Sequence, residues 1–185
     1  VDEGTLGMQI VSSGPDTRES PIKSGMLSMI YSARKSIYIQ TPYFAPDQSF
    51  FDALRIAARS DIDVRLMVPR SSDYQVVHRA TLGYCREALG SGVKIYMYDG
   101  FIHSKTVTVD GCIASIGTTN ITNRSFTLDF EVNAFVYDRH FAASCEEIFL
   151  RDLGSCAEVG KEFFDKQSMA TRVTYNFARL LAPMM

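Results

Sequence analysis

His103, Lys105, Thr118 and Asn120 fall within one short stretch, DGFIHSKTVTVDGCIASIGTTN (Asp99–Asn120). Their side-chain types make a chemical set. An imidazole exchanges protons near neutral pH, an ammonium is a fixed cation, and amide and hydroxyl donors stabilise negative charge where it develops. A lone histidine at a strand end is more often structural than catalytic, and a lysine two residues away is more often simply solvated. The set matters only if the fold brings its members together.

Ser104–Val109 alternates and is rich in Val and Thr, which suits a pleated strand. Asp110-Gly111 signals a tight two-residue hairpin, since a type I′ turn needs positive φ at both central residues. Cys112–Gly117 then reads as the returning strand. Such a loop sets Val109 opposite Cys112, Lys105 opposite Ile116 and His103 opposite Thr118. Opposed residues of an antiparallel pair point to one side of the sheet, and residues two apart share a face. His103, Lys105, Thr118 and Asn120 are therefore expected to converge at the open end of the hairpin, beside apolar Val107, Ala114 and Ile116. Asp110, in the turn, lies at the far end and should not reach them. Gathering so many polar groups is costly unless they serve each other or a ligand.

The spacing His103-x-Lys105-x4-Asp110-x6-Gly117-Thr118-x-Asn120 resembles the HxKx4Dx6G[S/T]xN signature of the phospholipase D superfamily, with every fixed position filled. TPYFAPD (Thr41–Asp47), GVKIYMYDGFIHSKT, RSFTLDFEVNAFVYD (Arg124–Asp138) and the ending RLLAPMM are similar to the C-terminal half of bacterial cardiolipin synthases. The resemblance covers nearly the whole chain. Thr118 stands where the family usually has serine, which keeps the hydroxyl, and Asp129 where asparagine is common.

The resemblance implies a catalytic set of His103, Lys105, Asp110, Asn120 and Glu131, with Thr118 and Tyr43 binding substrate. In the family the glutamate at the position of Glu131 hydrogen-bonds the catalytic histidine, fixing its tautomer and stabilising the imidazolium. The plainer alternative pairs Glu131 with Arg124. Tyr43 and Phe44 follow a strand, where ligand sites of such sheets collect; ordinary packing is an equal alternative. A phosphodiester resists attack because its oxygens carry negative charge that grows in the transition state. Lys105, with Asn120 and Thr118 as donors, would stabilise that charge. One imidazole attacks phosphorus to give a phosphohistidine, and a second protonates the leaving alcohol and deprotonates the acceptor. This chain supplies one such histidine. In two-motif members the resemblance implies that the N-terminal histidine is the nucleophile, which leaves His103 as general acid/base.

The function so implied is phosphatidyl transfer between two phosphatidylglycerols, releasing glycerol, with no metal and no cofactor. Expected partners are the phospholipid, the membrane surface on the cytosolic side of the bacterial cytoplasmic membrane, and either an N-terminal half or a homodimer mate. No nucleic acid is expected. Hydrolysis of the same intermediate, a nuclease-type homodimer and a non-catalytic remnant are the alternatives.

Composition bounds these readings. With 185 residues and 46% hydrophobic content, residues 1–185 form one globular domain with room for a core. A net charge of −2 offers no basic field for nucleic acid. Cys85, Cys112, Cys145 and Cys156 make no C-x-x-C pair and read as reduced, buried thiols. His78 and His140 fall in helical patterns and read as structural or solvated. No apolar run is long enough to span a bilayer. The chain begins at Val1, and we expect the C-terminal part of a longer protein whose spans and second HxK motif lie upstream.

The remaining pattern alternates. Strands are expected at Met8–Ser12, Ser36–Gln40, Val64–Val68, Val93–Tyr98 and Glu131–Tyr137. Helices are expected near Ile22–Arg34, from an Asp47 cap to Arg59, from an Asp73 cap along Val76, Ala80, Tyr84 and Ala88, and from an Asp138 cap to Leu153. This order predicts an α/β fold, a mixed β-sheet with helices on both faces, the phospholipase D-like α-β-α sandwich. Met169, Val173, Phe177, Leu180 and Leu181 recur at helical spacing; core packing is the expected use, membrane contact the alternative.

Overall fold

The computed structural model describes residues 6–17 and 19–181. In chain order its elements are β1 (Met8–Ser13), α1 (Pro21–Ser32), β2 (Ser36–Gln40), β3 (Phe44–Ala45), α2 (Gln48–Arg59), β4 (Asp63–Pro69), α3 (Gln75–Leu89), β5 (Lys94–Tyr98) and β6 (Thr106–Val109). There follow β7 (Ile113–Gly117), β8 (Ile121–Thr122), α4 (Asn123–Thr127), β9 (Glu131–Val136), α5 (Arg139–Asp152), β10 (Cys156–Val159), α6 (Lys161–Asp165) and α7 (Met169–Leu181). Eight strands form one sheet in the order β1-β9-β7-β6-β2-β4-β5-β10, and β3 pairs separately with β8. β2, β4 and β5 run parallel, whereas β6, β7, β9, β1 and β10 each pair antiparallel with their neighbours.

Period-2 alternation on the strands and period-3.6 stripes on the helices bury two unequal cores. On one face α1, α2 and α3 cover Ile37, Ile39, Leu66, Ile95, Val107 and Phe135. On the other, Phe149 of α5 packs over Tyr38, Met67 and Tyr96, its ring stacked on Tyr38 at 4.9 Å. Each fully buried side chain of this size contributes about 1.5–3 kcal/mol. The mixed sandwich expected from the strand-helix alternation is present, with one face covered far more heavily than the other.

Helix starts follow local chemistry where a carboxylate oxygen is within reach of the first turn. Asp47 accepts the Phe50 N–H at 3.0 Å and Asp138 the Phe141 N–H at 2.8 Å. Asp73 departs from expectation. α3 starts at Gln75 with Tyr74 at its N-cap and no side-chain cap, because the Asp73 carboxylate is taken by the Tyr43 hydroxyl at 2.6 Å.

Two further expectations change. The hairpin turn has positive φ at Asp110 (56°) and Gly111 (60°), as a type I′ turn requires. Its ladder nevertheless resumes at Ile113, opposite Val109, so Cys112 belongs to the loop and the register moves by one residue. The Asp110 N–H donates to Ser36 O at 3.0 Å and the Gly111 N–H to Glu146 Oε1 at 2.7 Å, which draws the turn out of the ladder. The stripe Met169, Val173, Phe177, Leu180 of α7 points outward, and it is Tyr175 and Ala178 that are buried.

All four cysteines are free, but only Cys85 is buried; the other three are half-buried. Burial pushes the Cys85 thiol up to about 12, so it is inert at neutral pH. Among the described residues no helix is long and apolar enough to cross a membrane.

Candidate active site

Strand direction assembles the site. Because β2 and β6 are antiparallel, the end of β2 and the start of β6 meet, with Gln40 opposite Thr106. β7 and β9 each reverse again, so Gly117 lies opposite Asn133. His103 and Lys105 before β6, Thr118 and Asn120 after β7, Glu131 at the start of β9 and Thr41–Phe44 after β2 thus share one end of the sheet. Asp110 lies at the other end, beside the first residue of β2. Of the sequence-derived candidates, the fold brings together all but that one.

The shifted register decides the faces. Lys105 O accepts the Gly117 N–H at 3.3 Å, so Lys105 is level with Gly117 and not with Ile116. Lys105, Gly117, Asn133 and Glu131 therefore line one face, and the apolar residues Ala114 and Ile116 belong to the other, away from Val107. Burial lowers the Lys105 pKa, and the Glu131 carboxylate opposes that shift. The Lys105 ammonium donates to the His103 carbonyl at 2.9 Å. The His103 ring is exposed and stacks on Phe101, centroids 5.5 Å apart.

Neither expected partner of Glu131 forms. Its carboxylate accepts the Thr118 hydroxyl, not the His103 ring. Arg124 instead pairs with Asp129 at 3.0 Å. The Thr118 hydroxyl also accepts the Val132 N–H at 3.0 Å, and the Thr118 N–H donates to Val132 O at 3.0 Å. Thr118 is held from three directions, which leaves its hydroxyl committed to Glu131.

The glycine of the signature has a steric cause. A Cβ on Gly117 would lie 2.2 Å from Val132 O and 2.3 Å from Asn133 Oδ1. Asn133, which the sequence reading did not single out, is fully buried and holds β7 and the segment just after it with the two ends of its amide. Its Oδ1 accepts the Thr119 N–H at 3.3 Å, and its Nδ2 donates to Ser115 Oγ at 3.0 Å. The signal was an amide at an inward position of an otherwise apolar alternating strand, EVNAFV.

Asn120 leads into the β3–β8 pair, where Phe44 lies opposite Ile121. Its Oδ1 is buried with no hydrogen-bond partner among the described residues, and its Nδ2 is 3.5 Å from Ser125 Oγ. Beside it opens a cleft of about 730 Å³, lined among others by Tyr43, Asp73, Tyr74, Arg124 and Asp129. The Tyr43 hydroxyl is pushed up to about 12 by burial and by its hydrogen bond to Asp73. The same bond holds the Asp73 carboxyl below its usual range. Among the described residues no group of three His, Cys, Asp or Glu side chains could hold a metal ion. His140 is exposed; His78 on α3 is half-buried, which lowers its pKa.

Sheet order and site together define an α/β domain of the phospholipase D class. Residues 26–153 match the family described as cardiolipin synthase, PLD-like domain, and the chain belongs to that family. It is 48% identical over 183 residues to the cardiolipin synthase of Staphylococcus aureus strain Mu50, an alignment covering 98% of this chain and 37% of that protein. The chain thus spans little more than a third of the length of the curated relatives it matches. Among solved structures it is similar to the phospholipase D family member Nuc from Salmonella typhimurium, with TM-score 0.70 and 20% identity, covering 84% of this chain and 99% of that one. It is also similar to phosphatidylserine synthase from Haemophilus influenzae, with TM-score 0.73 and 14% identity, covering 97% and 46%. At such identities the two structures speak to the fold alone.

Proposed function

We propose that this chain is one catalytic domain of a membrane phosphatidyltransferase that forms cardiolipin from two phosphatidylglycerols and releases glycerol. The observation that carries the reading is the complete signature, with His103, Lys105, Thr118 and Asn120 gathered at one end of the sheet. Family membership supports the substrate class.

In this reading Lys105 and the Asn120 amide hold the phosphate oxygens and stabilise the charge that grows on them. A second imidazole, from the remainder of a longer chain or from another copy, attacks phosphorus. The P–N bond forms as the P–O bond to the leaving glycerol breaks, and His103 gives that oxygen its proton. The acceptor hydroxyl then returns a proton to His103 as its oxygen displaces the phosphorylated histidine. His103 is suited to the shuttle because it is exposed and its ring makes no hydrogen bond among the described residues. Glu131, anchored by Thr118, favours the charged form of Lys105. Tyr43 and Asp73 face the cleft, and Asp73 offers an acceptor for headgroup hydroxyls. Asp110 contributes from outside the site. The reaction belongs at the cytosolic face of the bacterial membrane, with any spans in the part of the relatives that this chain does not cover.

A second reading, a phosphodiesterase active as a homodimer, is favoured by one observation: Nuc aligns over 99% of its own length, so a family member exists at the size of this domain. The test is His103→Asn in the full-length enzyme with phosphatidylglycerol vesicles. Loss of all but a few per cent of cardiolipin formation, with the fold unchanged, is expected; retained turnover overturns the assignment. A DNA-degradation assay run in parallel separates the two readings. Inertness of the full-length enzyme in both assays would mean a remnant domain.

A further inference from the structure

The outward face of α7 is apolar. Met169, Val173, Phe177 and Leu180 are 72%, 60%, 62% and 76% exposed, and their spacing places them on one helical stripe. The helix cannot roll to hide them. Its other face is fixed by buried Tyr175 and Ala178, and by Arg179, which pairs with Glu87 of α3 at 2.6 Å and lies over the Tyr84 ring at 4.4 Å. Exposure of several large apolar side chains in one stripe marks a contact surface.

Charge says which surface. α7 holds Arg172 and Arg179 and no acidic residue, and residues 161–181 carry four basic and two acidic side chains in a chain of net charge −2. Arg179 is spent on Glu87 and Tyr84, but Arg172 remains beside the stripe on a helix with no acidic residue, and such a helix lying flat on a domain has the make-up of one that beds into the headgroup boundary of an anionic bilayer. We infer that the outer face of α7 is the surface by which this domain rests on anionic phospholipid. The inference rests on the lipid-enzyme reading above, in which the substrate is itself an anionic lipid of a bilayer.

The chain has no tryptophan, so Phe177→Trp introduces a single reporter. With vesicles of phosphatidylglycerol and phosphatidylcholine in equal parts, its emission should shift to the blue and be quenched by lipids brominated in the acyl chains. Val173→Asp with Phe177→Asp should weaken vesicle binding about tenfold for each side chain, with an unchanged thermal transition because both are exposed. Emission that ignores the vesicles, or that is already blue-shifted without them because another copy or another segment covers the stripe, overturns the inference. Equal affinity for pure phosphatidylcholine overturns its anionic part. His103→Asn protein should bind vesicles like the unaltered chain. A protein that binds vesicles yet never forms cardiolipin would sink the proposed reaction and leave the membrane surface standing.

Discussion

Ser36 and Asp110 are bonded to each other twice: the Ser36 N–H donates to the Asp110 carboxylate at 2.8 Å, and the Asp110 N–H donates to Ser36 O at 3.0 Å. The same carboxylate accepts the N–H groups of Arg34 and Lys35, each at 2.7 Å. These amides lie between the end of α1 and the first residue of β2, where neither element supplies them an acceptor. The acid of the signature is an anchor between two neighbouring strands. At about 3.3 Å per residue, it lies on the order of 20 Å from His103, out of reach of the phosphate.

Asp110→Asn isolates that role. Asparagine tolerates the positive φ at this position, so the substitution removes only the charged acceptor. A loss of about 2 kcal/mol is expected, read as a lower urea midpoint, with kcat per folded molecule unchanged. A fall in kcat at full stability would make Asp110 catalytic.

Glu131→Gln should act through Lys105. Burial lowers the lysine pKa and Glu131 works against this, so removing the carboxylate charge lowers it further. Lysine serves in its charged form, and activity is lost as pH rises through its pKa. The alkaline limb of the kcat profile should therefore move to lower pH in the variant. An unmoved limb would separate Glu131 from Lys105.

Gly117→Ala tests the close approach of β7 to β9. The added methyl meets a backbone oxygen 2.2 Å away, which cannot swing aside as a side chain does. Roughly 1–3 kcal/mol should be lost, and turnover should fall as Thr118 is moved off Glu131. Gly154→Ala, with nothing within 4 Å, is the control. A full-strength melting transition for Gly117→Ala would refute the contact.

Acid should weaken the fold through Asp63. Burial raises its pKa, but hydrogen bonds from Arg65 and Lys94 outweigh that and hold it below the usual value. The folded state then binds fewer protons than the unfolded chain. Its contribution is present above the unfolded pKa, about 4, and is lost as pH falls through the lower folded value. Urea midpoints should drop below about pH 4, and less steeply in Asp63→Asn. Identical slopes would exclude Asp63 as a source.

Local patterns carried much of this architecture. Ser36–Gln40 is an uninterrupted strand signal with the bounds the structure shows, and Asp47 and Asp138 each keep one carboxylate oxygen for the cap, Asp47 while its other oxygen holds Lys23. Asp73 is claimed by Tyr43, thirty residues away, and a cap signal cannot reveal such a competitor. The hairpin register failed for the same reason. Asp110-Gly111 turns as its residues demand, but Ser36 and Glu146 pull the loop one residue longer from distant parts of the chain. On α7 the spacing identified a helix, while the side that faces inward was set by what Gly83 and Tyr84 of α3 could accommodate, Arg179 and Tyr175. Asn133 was readable as an oddity, yet its purpose needed the neighbouring strand.

The two strands at the margins of the sheet, β1 and β10, both lie outside the family-matched segment 26–153. Removing them would bare the amides and carbonyls of β9 and β5, a template for any passing strand. The flanks act as shutters. The part of the chain that carries the chemistry is thereby separable from the part that pairs the outer edges of β9 and β5.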